Sequence, residues 1–125
     1  MIDKEYREYL RQTKKQMLWM CRTYPYHKMK YEEILHSSPS PADGQPSAHY
    51  PHDIIGDMAV KLAAHGEVIH PIEDAILEVP EYYRKAVWEH CVFGAAGYPA
   101  SADRKTFYKW QERFLLAIMR RRHLL

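Results

Sequence analysis

Residues 102–125 read ADRKTFYKWQERFLLAIMRRRHLL. At 100° per residue Phe107, Trp110, Phe114 and Ile118 share one stripe, flanked by Leu115 and Ala117. That spacing predicts an amphipathic helix whose apolar face closes a bundle. The opposite side carries Arg104, Lys105, Tyr108, Lys109, Glu112 and Arg113, and the tail adds Arg120, Arg121 and Arg122. Ser101 or Asp103 is the expected N-cap. The stripe needs a surface to bury against, and the preceding segment offers Tyr83, Val87 and Cys91.

Upstream, PEYYRKAVWEHCVFG (80–94) opens on Pro80, carries Glu81 behind it and stops at Gly94, which predicts a helix. Its inward face is Tyr83, Ala86, Val87 and Cys91, with His90 beside them. HPIEDAILEVP (70–80) repeats the pattern, with Pro71 at the first helical position and Glu73 and Asp74 in the first turn. Ile72, Ala75, Ile76 and Val79 are expected inward. HDIIGDMAVKLAAHG (52–66) predicts a separate helix with an apolar face of Ile54, Ile55, Met58, Leu62 and Ala63, ended by Gly66.

At the N-terminal end a helix is expected from Asp3, as N-cap, to Thr23. Tyr6, Leu10, Thr13, Met17, Met20 and Tyr24 recur at spacings of three and four. Tyr24-Pro25 is read as its stop, because proline disfavours helical geometry in the residue before it. YHKMKYEEILHSS then reads as a short second helix with Met29 and Ile34 inward. Pro39, Pro41, Pro46 and Pro51, with the turn signal Asp43-Gly44, mark a linker. The expected organisation is an N-terminal helical arm (1–36), a Pro/Ser-rich linker or loop (37–51) and a helical domain (52–125). Gly is scarce (5) and no stretch alternates apolar with polar, so the expected class is all-α, a small helical bundle.

With 125 residues the chain suits one modest core. No apolar run approaches the ~20 residues of a membrane-crossing helix. The opening MIDKEYREYL lacks the apolar centre of a signal peptide. Cys21 and Cys91 stand alone, without a CxxC, and are expected as reduced core thiols in the cytoplasm. No Gly-rich phosphate loop, Gly-x-Ser-x-Gly or His-Glu-x-x-His occurs. His49 and His52 have an HxxH spacing but no four-ligand pattern around them. No enzyme, cofactor or metal is expected.

Net charge is +2, unevenly spread. Residues 1–30 carry eight Lys or Arg against three acids, residues 31–102 three against eleven, and residues 103–125 seven against two. A basic end can attract phosphate. A helix fits the major groove of DNA, where Arg or Lys reaches guanine O6 and N7, an outward Gln111 could pair with adenine, and Tyr108 packs on sugar or a thymine methyl. Arg120 and Arg121 would lie nearer the backbone and hold phosphate without reading sequence. A solvated surface helix explains the same lysines without any ligand.

The segment IEDAILEVPEYYRKAVWEHCVFG, followed by a turn and a basic helix, resembles the C-terminal helix-turn-helix of region 4 of bacterial sigma factors. The whole chain resembles the RinA/ArpU-like phage transcriptional regulators, with Tyr24, Pro25 and His27 in a YPxYH-like stretch and Asp57–Val60 as a DMAV-like segment. The recognisable domain signature covers about residues 70–125. The resemblance implies a phage or prophage protein that binds double-stranded DNA through that domain and regulates late-gene transcription. Its recognition helix maps onto Arg104, Lys105, Tyr108, Lys109, Glu112 and Arg113. Only AAGYPASAD separates Gly94 from Arg104, so the usual positioning helix is expected to shrink to a turn or vanish. Two alternatives stay open: a sigma-like module that contacts RNA polymerase or a phage protein, or a small DNA-packaging protein. The stripe on the first helix could also pair with a partner helix or a second copy.

Overall fold

The computed structural model describes residues 3–37, 52–95 and 103–125. It is all-α, with four helices and no strand among the described residues: α1 (Lys4–Ser37), α2 (His52–Ala75), α3 (Glu81–Phe93) and α4 (Arg104–Arg121). A 3-10 turn, Ile76–Glu78, joins α2 to α3. α1 packs against each of the other three helices. No described helix is long and apolar enough to cross a membrane.

Two helices run through the residues expected to end them. α1 passes straight over Pro25. A proline inside a helix removes one backbone hydrogen bond and costs ~3 kcal/mol on propensity alone. Contacts on both sides of Pro25 hold the helix in place. Arg22 Nε donates to the Cys91 carbonyl at 3.0 Å, the Tyr24 hydroxyl donates to Glu73 at 2.7 Å, and Lys28 Nζ donates to the same Glu73 Oε2 at 2.9 Å.

α2 likewise contains both Gly66 and Pro71, so the two predicted helices over 52–66 and 70–80 are one, followed by the 3-10 turn. Gly66 is buried and marks a close approach, not a stop. A Cβ there would stand 3.2 Å from the His70 ring and 3.5 Å from the ring of Tyr31 on α1.

The remaining boundaries fall where the sequence places them. Asp3 caps α1 through Glu5 N at 3.3 Å, and Asp103 caps α4 through Lys105 N at 3.4 Å. Gly94 adopts the left-handed conformation (φ 70°) at the end of α3. The Arg22 guanidinium packs so close there that a Cβ would meet Nη1 at 2.8 Å.

One buried cluster joins the helices: Met17 and Cys21 of α1, Ile72 and Ala75 of α2, Val79, Val87, Cys91 and Val92 at α3, and Phe107, Phe114, Leu115, Ala117, Ile118 and Met119 of α4. Trp110, Leu10, Met20 and Tyr24 pack on its margin. Most of the stripe read on the first helix is thus spent on this chain's own core, while Tyr6 is exposed. The expected face of the 52–66 helix is not in the core: Ile55 and Ala63 are exposed and Met58 and Leu62 half-buried. Both cysteines are free and buried, and burial pushes the Cys91 thiol up to about 12. The side chains of Ile54 and His52, the whole of His49, the 38–51 part of the linker and residues 96–102 lie outside the described residues.

Candidate nucleic-acid interface

α4 turns Phe107, Phe114 and Ile118 fully inward. The 3.6-residue period therefore turns Lys105, Lys109 and Arg113 outward as one row. All six residues assigned to the recognition helix, Arg104, Lys105, Tyr108, Lys109, Glu112 and Arg113, are exposed. Arg104 lies over the Tyr108 ring at 5.7 Å, and Lys109 and Arg113 both lie over the Trp110 ring at 5.3 Å. Among the described residues no carboxylate forms an ion pair with Arg104, Lys105, Lys109 or Arg113. Ring faces hold Arg104, Lys109 and Arg113 without neutralising them.

Glu112 and the tail arginines differ. Glu112 accepts from Lys14 of α1 at 3.0 Å and bridges the two helices. Glu78 of the 3-10 turn takes Arg120 at 3.1 Å and pairs closely with Arg121 as well. The carboxylate cancels charge that the sequence assigns to phosphate. Gln111 does not face out: it is half-buried and its Oε1 is buried without a partner among the described residues.

The structure adds residues that reading α4 alone does not find. A groove of 290 Å³ between α1 and α4 is lined by Arg11, Lys14, Lys15 and Leu18 on one side and Tyr108, Gln111, Glu112 and Leu115 on the other. Arg11 pairs with Glu8 at 2.8 Å, an exposed contact that holds the Glu8 carboxyl down to about 2. Lys15 has no ion-pair partner among the described residues, so it extends the uncancelled charge across the groove from Tyr108. The signal in the sequence was the basic count of residues 1–30. Which of those cations faces α4 depends on how two helices cross.

α3 packs on α4 through Val87, Cys91 and Phe107, and the His90 ring stands edge-on to Phe107 at 5.8 Å and Tyr108 at 6.3 Å. The turn that would define a helix-turn-helix falls within residues 96–102, outside the described residues. No group of three or more metal-ligating side chains occurs among the described residues. No protein-family model matches the chain, and no curated protein or solved structure matches it either.

Proposed function

We propose that the chain is a double-stranded-DNA-binding protein acting through the first half of α4, and a phage or prophage transcriptional regulator of the kind its sequence resembles, at work in the host cytoplasm. One observation supports this most: four exposed cations, Arg104, Lys105, Lys109 and Arg113, stand together with no carboxylate among the described residues to cancel them. Lys105, Lys109 and Arg113 form a row about 12 Å long at ~1.5 Å per residue, on the half of the helix that enters a groove first. Duplex DNA presents one negative charge per ~1.7 Å, so a row of that length meets several phosphates. Lys15 extends the surface to α1.

The test is binding to a random pool of duplex DNA across a salt series, beside a Lys109→Ala/Arg113→Ala variant. Each neutralised phosphate contributes about 0.9 to the slope of log K against log salt, so the variant should flatten it by about 1.8. Absence of affinity at 50 mM salt, or a slope the variant leaves unchanged, sinks the reading.

A second reading rests on α1. Trp19 is 73 % exposed and Tyr26 55 %, seven residues apart on one helix face, with Lys15 and Arg22 beside them. An amphipathic helix with aromatic anchors at that spacing can dock in a partner's groove. RNA polymerase or a phage protein would then be the partner, and Trp19→Ala would abolish its capture without changing DNA affinity.

A further inference from the structure

A cleft of 660 Å³ lies between the outer face of α2 and the C-terminal turn of α4, away from the cationic row on the first half of α4. Its volume falls within the ~300–1,000 Å³ of small-molecule sites. Leu62, Ala63 and Pro71 form an apolar floor. Ala59, Ala63 and Gly66 recur at i, i+4 and i+7, so this side of α2 carries almost no side-chain bulk. Gly66 lets the Tyr31 and His70 rings, edge-on at 5.4 Å, close on the α2 backbone as one wall.

The opposite wall is cationic. Beyond the last turn of α4, His123 takes a left-handed conformation (φ 60°), and the Leu124 amide folds back to the Met119 carbonyl at 2.8 Å. That reversal fixes Arg122 and His123 at the cleft. Arg121 shares the Glu78 carboxylate with Arg120, but no carboxylate pairs with Arg122 among the described residues. Among the described residues Arg122 Nε is buried without a hydrogen-bond partner, and Nη1 meets the Met20 sulfur at 2.7 Å. A thioether is a weak acceptor. A half-buried guanidinium left in this state is stabilised by any anion that reaches its free edge.

We infer that this cleft binds a small carboxylate with an apolar body, such as a medium-chain fatty acid, its chain on Leu62, Ala63 and Pro71 and its carboxylate at Arg122, with His123 alongside. Among the described residues Glu67 is the one carboxylate on the lining, and it opposes the ligand's charge.

The test titrates the isotope-labelled full chain with sodium decanoate, below its micelle concentration, and with decanol. Decanoate should bind saturably with amide shifts at Ala63, Gly66 and His123, about ten-fold or more tighter than decanol, the scale of one charge-assisted hydrogen bond. Arg122→Gln should lower decanoate to the level of decanol and leave decanol unchanged. Glu67→Gln, on an exposed side chain, should tighten decanoate. Ala63→Trp should block both. Equal affinity for the alcohol, shifts centred on another surface, indifference to Arg122→Gln in a variant with an otherwise native spectrum, or no saturable binding each overturns the assignment. None of these readouts involves DNA, so the inference stands or fails apart from the function proposed above.

Discussion

Glu73 is the residue on which the α1–α2 contact turns, and replacing it tests why two prolines sit inside helices. Its Oε2 accepts from the Tyr24 hydroxyl at 2.7 Å and from Lys28 Nζ at 2.9 Å, one residue before Pro25 and three after it. On α2 it sits two residues past Pro71, with His70 Nδ1 at 3.8 Å. Burial raises its carboxyl, but the Tyr24 and Lys28 hydrogen bonds outweigh burial and hold it below the usual carboxylate range. In return, burial and then Glu73 push the Tyr24 hydroxyl up. Hydrogen bonds to a charged group contribute ~1.5–3 kcal/mol each when buried. With the Glu73 side chain 31 % exposed, the pair is worth less than twice that, and Glu73→Ala should cost about 2–3 kcal/mol. For a chain of this size that lowers the melting temperature by ~8–12 °C. Circular dichroism at 222 nm during thermal and urea unfolding measures it. Glu32→Ala, which removes exposed pairs to Lys28 at 3.4 Å and to His36 at 3.2 Å, is the control and should shift stability by under ~0.5 kcal/mol. The sign with pH is fixed. A carboxyl whose folded pKa is depressed stabilises above its unfolded pKa and loses that contribution as pH falls through the folded one. The gap between wild type and Glu73→Ala should therefore close in acid. A loss of under ~0.5 kcal/mol, or a gap that persists at pH 2, would refute the clasp.

Two further outcomes follow from the charges. Glu78→Gln frees Arg120 and Arg121, so the slope of DNA affinity against salt should steepen by up to about 1.8; a slope that stays put means the tail arginines do not reach phosphate. His27 and His65 share one hydrogen bond, Nδ1 to Nδ1 at 2.9 Å, which needs one of the facing nitrogens unprotonated, and burial, then His65, lowers His27 from its ordinary value. The unfolded chain binds more protons there, so stability falls as pH drops below ~6.5, by at most ~1.4 kcal/mol per pH unit; urea midpoints at pH 7.5 and 5.5 should show the fall in wild type and a smaller one in His27→Gln.

What could be read from the sequence was set by period and by end signals that act locally. The α4 stripe, the inward residues of 72–79 and α3, the caps at Asp3 and Asp103, and the glycine stop at Gly94 depend on neighbours within one or two turns, and they stand as expected. Pro25, Gly66 and Pro71 carry the same local grammar, yet none of them ends a helix. The difference lies across the chain. The ~3 kcal/mol penalty of an internal proline is a local quantity, and its offset comes from residues 45 to 69 positions away: Glu73 on Tyr24 and Lys28, and the Cys91 carbonyl on Arg22. At Gly66 a Cβ would be crowded by the His70 ring one turn on, at 3.2 Å, while the Tyr31 ring of α1 comes no closer than ordinary contact, at 3.5 Å. The candidate interface divides the same way. The outward row Lys105, Lys109 and Arg113 follows from the helix period alone. The sharing of the one Glu78 carboxylate by Arg120 and Arg121, which cancels one of their two charges, the commitment of Glu112 to Lys14, and the place of Lys15 across the groove depend on long-range packing. A count of basic residues therefore overstates the charge offered by the end of α4 and misses the charge offered by α1. The useful variable for phosphate is the cation without a carboxylate, and that is a property of the packed chain.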